Sequence, residues 1–244
     1  MKKLNLFFAG AAALSATSAF AFESGPYLHL IGAISKVETT NDVGVIDAGN
    51  NDSLARYTIK ANKSYVEPRL AAGWYLLSDK SPWIVAPELF YALGNAKQSG
   101  TETRNGVPDN FRQTVEMKFK HAYGLNVRVG YKCREDLAVF GKVGYQKEQY
   151  DFKSTAINDV NQAQQVTSSK VKPNVFVLGL GADYFLGEAQ NWVLRGEVSR
   201  MVRLNAKKPV NQRLALQNFA NARFDTTQKV NSSWAVSVGV GYKF

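Results

Sequence analysis

Catalysis needs a nucleophile, an acid or base, or a metal-holding cluster with geometry around it, and this sequence offers few candidates. Its 244 residues contain two histidines and one cysteine. His29 is the one candidate for acid/base work. No Ser/Asp or Ser/Glu arrangement accompanies it, so a structural role outweighs the enzymatic one. His121 falls on the apolar face of its segment and reads as an interface residue. Cys133 has no intrachain disulfide partner and reads as a thiol without function. Asp42, Asp47 and Asp52 share one polar stretch that would attract a divalent cation, although solvated loop acids are the commoner case. Gly179-Leu180-Gly181 and Gly239-Val240-Gly241 precede no helix and continue into no phosphate-binding signature. No Cys/His cluster has metal-ligand spacing. The expectation is therefore no catalytic residue, no cofactor and no metal.

The elements around these residues alternate with period two, the mark of strands with one apolar face. Trp234, Val236, Val238, Val240, Tyr242 and Phe244 share a face with Val230 and Ser232, opposite Lys229, Ser233, Ser237 and Lys243. A helical period of 3.6 would smear that set around the axis. Segments near 65–76, 83–94, 115–131, 137–146, 175–184 and 192–199 follow the same rule. One of them sets Val115, Met117 and Phe119 in line with Tyr123, Leu125 and Val127. An eighth, near 27–37, has both faces partly apolar, so its parity, and the direction of His29, stay open. Eight strands and no convincing helix result. Gly in the strands makes room for long side chains and for curvature.

Connection lengths alternate. The turns 78–81, 133–136 and 187–191 hold four or five residues, whereas 39–59, 96–112, 154–171 and 205–227 hold 21, 17, 18 and 23. Long connections without structure are rare in compact domains. Short turns at one end and long polar loops at the other make an up-and-down meander of the outer-membrane type. A further hairpin within 39–59 or 205–227 would raise the count to ten strands.

Composition fits that pattern. The chain is 45% hydrophobic, and its mean hydropathy of −0.24 excludes a bundle of membrane helices. Met1-Lys2-Lys3, the apolar run to Leu14 and Ala19-Phe20-Ala21 form the three parts of a secretory signal. The expected division is a signal peptide over 1–21 and a barrel domain over 22–244. Without Lys2 and Lys3 the 30 basic residues fall to 28, against 20 acidic ones, net +8. A pI near 9.6 raises nucleic-acid binding, but secretion and the lack of a concentrated basic stretch with interleaved aromatics argue against it.

Alternation alone does not separate a membrane barrel from a soluble one, whose faces are merely swapped. Three observations favour the membrane. Trp74, Trp83, Tyr131, Tyr184, Trp192 and Tyr242 lie on the apolar face at the short-turn end, as an interfacial aromatic girdle requires. The opposite face carries Glu67, Glu88, Asp183 and Glu197 against Arg69, Arg128, Lys142 and Arg195, a neutral set suited to a closed interior. If Trp74 and Trp83 sit level, Arg69 and Glu88 face one another as an interior salt bridge. The chain ends on Phe244 after strict alternation.

That C-terminal pattern resembles the insertion signal of bacterial outer-membrane barrels. With the repeated strings Val129-Gly130-Tyr131, Val143-Gly144-Tyr145 and Val240-Gly241-Tyr242, the mature chain resembles the small outer-membrane β-barrel family of OmpA, OmpX and opacity-protein type. The resemblance implies an all-β, eight-stranded antiparallel up-and-down transmembrane β-barrel, with four long extracellular loops and both termini in the periplasm. It implies a non-enzymatic surface role, in adhesion or envelope integrity. A narrow channel or hydrophobic conduit is the second reading, and a lipid-modifying enzyme using His29 the third. Expected partners are outer-membrane lipid, lipopolysaccharide, the barrel-insertion machinery and host or environmental ligands, with no nucleic acid. Lys60, Lys63, Lys118, Lys120, Lys172, Arg200 and Arg203 would form a basic rim that holds lipopolysaccharide phosphates.

Overall fold

The computed structural model describes residues 24–244 apart from 48–52, 79–80, 95, 105–110, 159–163, 188, 205 and 217–218. The expected signal segment and Asp52 lie outside the described residues. Among those described are twelve antiparallel strands: β1 (Gly25–Asp47), β2 (Ser53–Ser78), β3 (Ser81–Leu93), β4 (Lys97–Arg104), β5 (Phe111–Arg134), β6 (Leu137–Asn158), β7 (Gln164–Val171), β8 (Asn174–Leu186), β9 (Trp192–Leu204), β10 (Lys207–Leu216), β11 (Phe219–Val230) and β12 (Ser233–Lys243). Eight close a ring, β1–β2–β3–β5–β6–β8–β9–β12, and β12 pairs back onto β1. Closure leaves no open edge where backbone N–H and C=O would meet lipid unpaired.

The other four strands prolong the ring. β4 follows β3 along β5, β7 precedes β8 along β6, β11 precedes β12 along β1, and β10 leaves β9 to pair with β11. The four connections expected as long loops are therefore mostly ladder. β1 and β2 stay in register from Gly25↔Tyr75 to Ile46↔Ser53, and β5 and β6 from Arg134↔Leu137 to Phe111↔Asn158. The hairpins suspected within 39–59 and 205–227 exist, but as prolongations beyond the ring, so they do not widen it.

Burial explains why these prolongations fold. In the lower barrel the exposed face is one apolar patch, with Leu30, Leu89, Leu125, Leu178, Leu180 (72% exposed) and Val238 (68%) all outward, and a patch of that extent marks a lipid-facing wall. Beyond the rim the polarity inverts. Val37, Val43, Val45, Tyr57, Ile59, Phe119, Tyr150 and Phe152 point inward and form one buried cluster, while Lys60, Asn62, Lys153 and Lys170 face out. Where water replaces lipid, the ladder gains by burying its apolar side chains inside, at roughly 25 cal/mol per Å².

Two strands change face to meet this inversion. On β5, Phe119 pairs with Tyr150 and His121 with Gln149, so Lys120 is a bulge residue with no cross-strand counterpart. Below the bulge Tyr123, Leu125 and Val127 face lipid; above it Val115, Met117 and Phe119 are buried. The sequence reading put all six on one face, because an inserted residue reverses the side-chain phase. The partner strand breaks at the same level. Gly94 N donates to Lys120 O and Phe119 N to Ala96 O, both at 3.0 Å, and a Cβ on Gly94 would overlap the Phe119 ring. Between β11 and β12 the break at 231–232 does likewise: Val230 is buried and Trp234 exposed, correcting their assignment to one face.

The expected girdle residues all lie on the outward face. Trp83 packs edge-on against Tyr131 at 5.5 Å and Trp192 against Tyr242 at 5.2 Å. A second belt stands eight residues further on: Tyr91 from Trp83, Tyr123 from Tyr131, Phe176 from Tyr184 and Trp234 from Tyr242. Eight residues rise about 26 Å along a strand, or roughly 20 Å along the axis at a tilt near 40°, close to the apolar band of outer-membrane barrels. Val238 stands midway. Val238→Arg should cost about 2–4 kcal/mol in denaturant unfolding from lipid vesicles. Ser168→Arg, outward but beyond the rim, should stay within about 0.5 kcal/mol.

Candidate functional site

Inward positions on β1, β2, β3, β5, β8 and β9 converge on a four-charge cluster in the lower lumen. Arg195 Nη1 lies 2.7 Å from Glu88 Oε2, and its Nε lies 2.9 Å from Asp183 Oδ1. Arg128 Nη1 is 2.6 Å from Asp183 Oδ2, and its Nη2 is 3.7 Å from Glu88. Tyr27 Oη donates to Glu88 at 3.0 Å, Tyr75 Oη to Asp183 at 2.7 Å, and Asn126 Nδ2 to Glu88 at 3.1 Å. The Arg128 guanidinium also sits 5.1–5.2 Å from the rings of Tyr27, Tyr75 and Phe140. Two acids and two bases sum to zero, and the aromatic faces solvate what the carboxylates do not.

Further toward the long hairpins Lys142 pairs with Glu197 and Arg69 with Glu67. The Arg69–Glu88 bridge anticipated from the sequence does not form. Glu88 lies opposite Gly73 and Arg69 opposite Ala92. Strands tilt in a barrel, so residues at one depth are not residues in one register. Arg69 therefore takes the acid two positions along its own strand.

Arg203, assigned to the rim by sequence, is buried inside. Its Nε donates to Glu148 at 2.6 Å, its Nη2 to Tyr150 at 3.1 Å, and its Nη1 to Ser233 Oγ at 2.7 Å and Asn231 O at 2.8 Å. Its parity is that of Arg195 and Glu197, which carries it inward. Glu148, absent from the charge set expected of the sequence, shares the phase of Phe140, Lys142 and Gln146 and is buried with them. With this pair the described lumen holds five acids matched by five bases, plus Lys243 at its mouth. The ambiguous first strand also resolves: Tyr27, His29, Ile31 and Ala33 face in, and Leu30 and Ile34 face lipid. His29 is fully buried, its Nε2 3.5 Å from Arg195 Nη2 and its ring against Gly241, where a Cβ would overlap it.

Apolar layers bound these networks. Tyr27, Tyr75, Ile84, Ala86, Ala138, Phe185 and Val193 pack across the short-turn mouth, and the large cluster inside the hairpins closes the other end. Outside, Lys60, Lys63 and Lys172 are exposed, and Lys118, Lys120 and Arg200 half-buried. Lys120 lies 3.4 Å from Asp151, and Arg200 stacks 5.1 Å over Trp234. At the short turns Cys133 is exposed. Two hydrogen bonds from Arg134 (2.8 and 3.0 Å) hold the Asp136 carboxyl below its ordinary range. Being exposed, that pair adds little stability. Among the described residues no His/Cys/Asp/Glu group could hold a metal.

A closed ring of eight strands with a lipid-facing apolar wall is a transmembrane β-barrel of the bacterial outer membrane. The sequence matches the OmpA-like transmembrane domain over residues 44–244, and the chain belongs to that family. Among solved structures it resembles the outer membrane protease OmpT from Escherichia coli, at 12% identity, 94% of this chain, 100% of that one and a TM-score of 0.52. OprG from Pseudomonas aeruginosa aligns at 14% identity over 91% of this chain and 97% of the other, TM-score 0.45. Ail of Yersinia pestis, solved with the heparin analogue sucrose octasulfate, aligns at 12% over 87% and 99%, TM-score 0.29. At such identity the likeness to OmpT is one of fold alone. No curated protein sequence matches the chain.

Proposed function

We propose that this barrel is a non-enzymatic surface protein whose long hairpins face the exterior, with both termini in the periplasm, and that it acts by contact, in adhesion or envelope integrity. One observation carries the reading: the lumen is filled. Charged groups inside it are engaged with one another, and apolar layers lie above and below them. An ion entering would have to displace Arg128 or Arg195 from partners at hydrogen-bond distance and then cross the apolar layers packed on either side of them. What the fold does present to its surroundings is the laddered, water-facing extension.

Conductance of the refolded protein in planar bilayers tests this against the channel reading. The expected trace shows no unitary steps; reproducible steps would replace the contact role with a pore. The lipid-modifying alternative fares worse, because His29 is sealed behind Arg195, Tyr27 and the barrel wall, out of reach of a lipid on the outer face. Expression should leave the mass of lipid A unchanged.

A further inference from the structure

The outward face of the water-exposed ladder is not evenly charged. On the wall formed by β4, β5, β6 and β7, a groove of about 940 Å³ runs beside the edge of β2, with Lys63, Lys97, Lys118, Lys153 and Lys170 along it. The ladder fixes their spacing: Lys97 opposes Lys118, Lys118 opposes Asp151, and Asp151 opposes Lys170. Strands about 4.8 Å apart set these side chains as a row across the wall. Glu116 and Asp151 stand among them, so five amines face two carboxylates, net +3.

The row continues down to the membrane. Lys120 and Lys172 lie one step lower, and Lys147 lies opposite Tyr123 at the outer aromatic belt. From Lys147 to Lys153 the strand rises about 20 Å, or roughly 15 Å in height after tilt. Below that ladder the wall is apolar through Tyr145, Phe176, Leu125 and Leu178. A basic groove joined without a gap to a lipid-facing wall fits a ligand that is both phosphorylated and acylated.

We propose that this wall binds one lipopolysaccharide molecule of the same leaflet, its acyl chains along the Leu125–Phe176 face and its lipid A and inner-core phosphates in the lysine groove. The inference extends the orientation proposed above and assigns the partner to one side of the barrel. It also shifts the site from the rim read in the sequence to a row centred on Lys97, Lys118 and Lys170. Lysine suits it, because phosphates displayed at several heights call for point charges on flexible stems.

The test uses the full mature chain refolded in zwitterionic detergent, with bound lipid counted by native mass spectrometry. The probes are rough lipopolysaccharide, its dephosphorylated form and heparin. Wild type should retain one rough lipopolysaccharide and little of the dephosphorylated form. Replacing Lys97, Lys118 and Lys170 together with Gln should weaken retention at least about tenfold, since each basic group near an anionic lipid surface is worth roughly a fivefold factor. Lys36→Gln with Lys229→Gln, on β1 and β11 away from that wall, should not. Glu116→Gln removes a carboxylate from the groove at little risk to the fold and should tighten retention severalfold. Unchanged retention by the triple variant, or by Glu116→Gln, overturns the proposal. So does a lysine-dependent loss confined to heparin, which would assign the groove to a soluble polyanion. Conductance is read separately, so a failed lipid site leaves the closed-lumen reading standing.

Discussion

Replacing Arg195 with leucine is expected to destabilise the barrel by about 3–5 kcal/mol, the usual cost of removing one member of a buried ion network. Among the described residues Arg195 alone contacts both Glu88 and Asp183 at under 3 Å, and it is almost completely buried. Without it, two carboxylates share Arg128, which lies 3.7 Å from Glu88, and the cluster holds a net negative charge away from water. The shape of the loss is informative. Glu88→Gln alone should also destabilise, because it leaves two arginines on Asp183. The double change Arg195→Leu/Glu88→Gln restores neutrality and should recover a large part of the loss. Urea titration in vesicles, followed by fluorescence of the outward-facing tryptophans, measures all three. A double variant whose loss merely sums the two singles would show that the charges act independently and would remove the case for a coupled plug.

Much of this architecture was legible in the sequence, and the misses share a cause. Strand phase separates the two faces wherever the environment stays constant: Trp83, Leu125, Leu180 and Val238 share one and Glu88, Arg128, Asp183 and Arg195 the other, and the aromatic girdle with the balanced charges tells which is outward. What alternation did not reveal is a change of solvent along one strand. On β2 the apolar set moves from even positions (Val66, Leu70) to odd ones (Tyr57, Ile59) because lipid gives way to water outside. That shift of phase looks like the end of a strand, so in the sequence the ladder beyond it has the appearance of a loop. On β5 the reverse happened: a bulge keeps the apolar residues in one phase through the same transition and hides it. Ion-pair partners were illegible for a third reason. They depend on the stagger between strands, which tilt sets and residue type does not, so the charged residues were identifiable while the pairing of Arg69 was not. Arg203 and Glu148 were the exception, since the phase of their own strands carried the answer.

Deleting Lys120 should therefore be among the most damaging single changes available, although its side chain does little. Lys120 is half exposed, and its contact with Asp151 at 3.4 Å involves two groups each about a third exposed, a pair worth about 0–1 kcal/mol. Lys120→Ala should be nearly silent. Removing the residue itself removes the phase change between Phe119 and His121. β5 then has two options. Its upper half turns over, so that Val115, Met117 and Phe119 lose burial worth roughly 1.5–3 kcal/mol each while Glu116 and Lys118 enter an apolar core. Otherwise its lower half turns over, so that Arg128 leaves Asp183 for lipid and Leu125 and Val127 crowd the lumen. Both are far costlier than losing an exposed ion pair, because a one-residue slip moves every side chain of the segment to the other face. The expected result is a chain that either fails to reach the folded barrel or keeps the lower ring with its long hairpins open to protease. A deletion variant with wild-type urea stability and wild-type protease resistance would mean that the bulge does not set the two faces of β5, and the switch of polarity at the rim would need another origin.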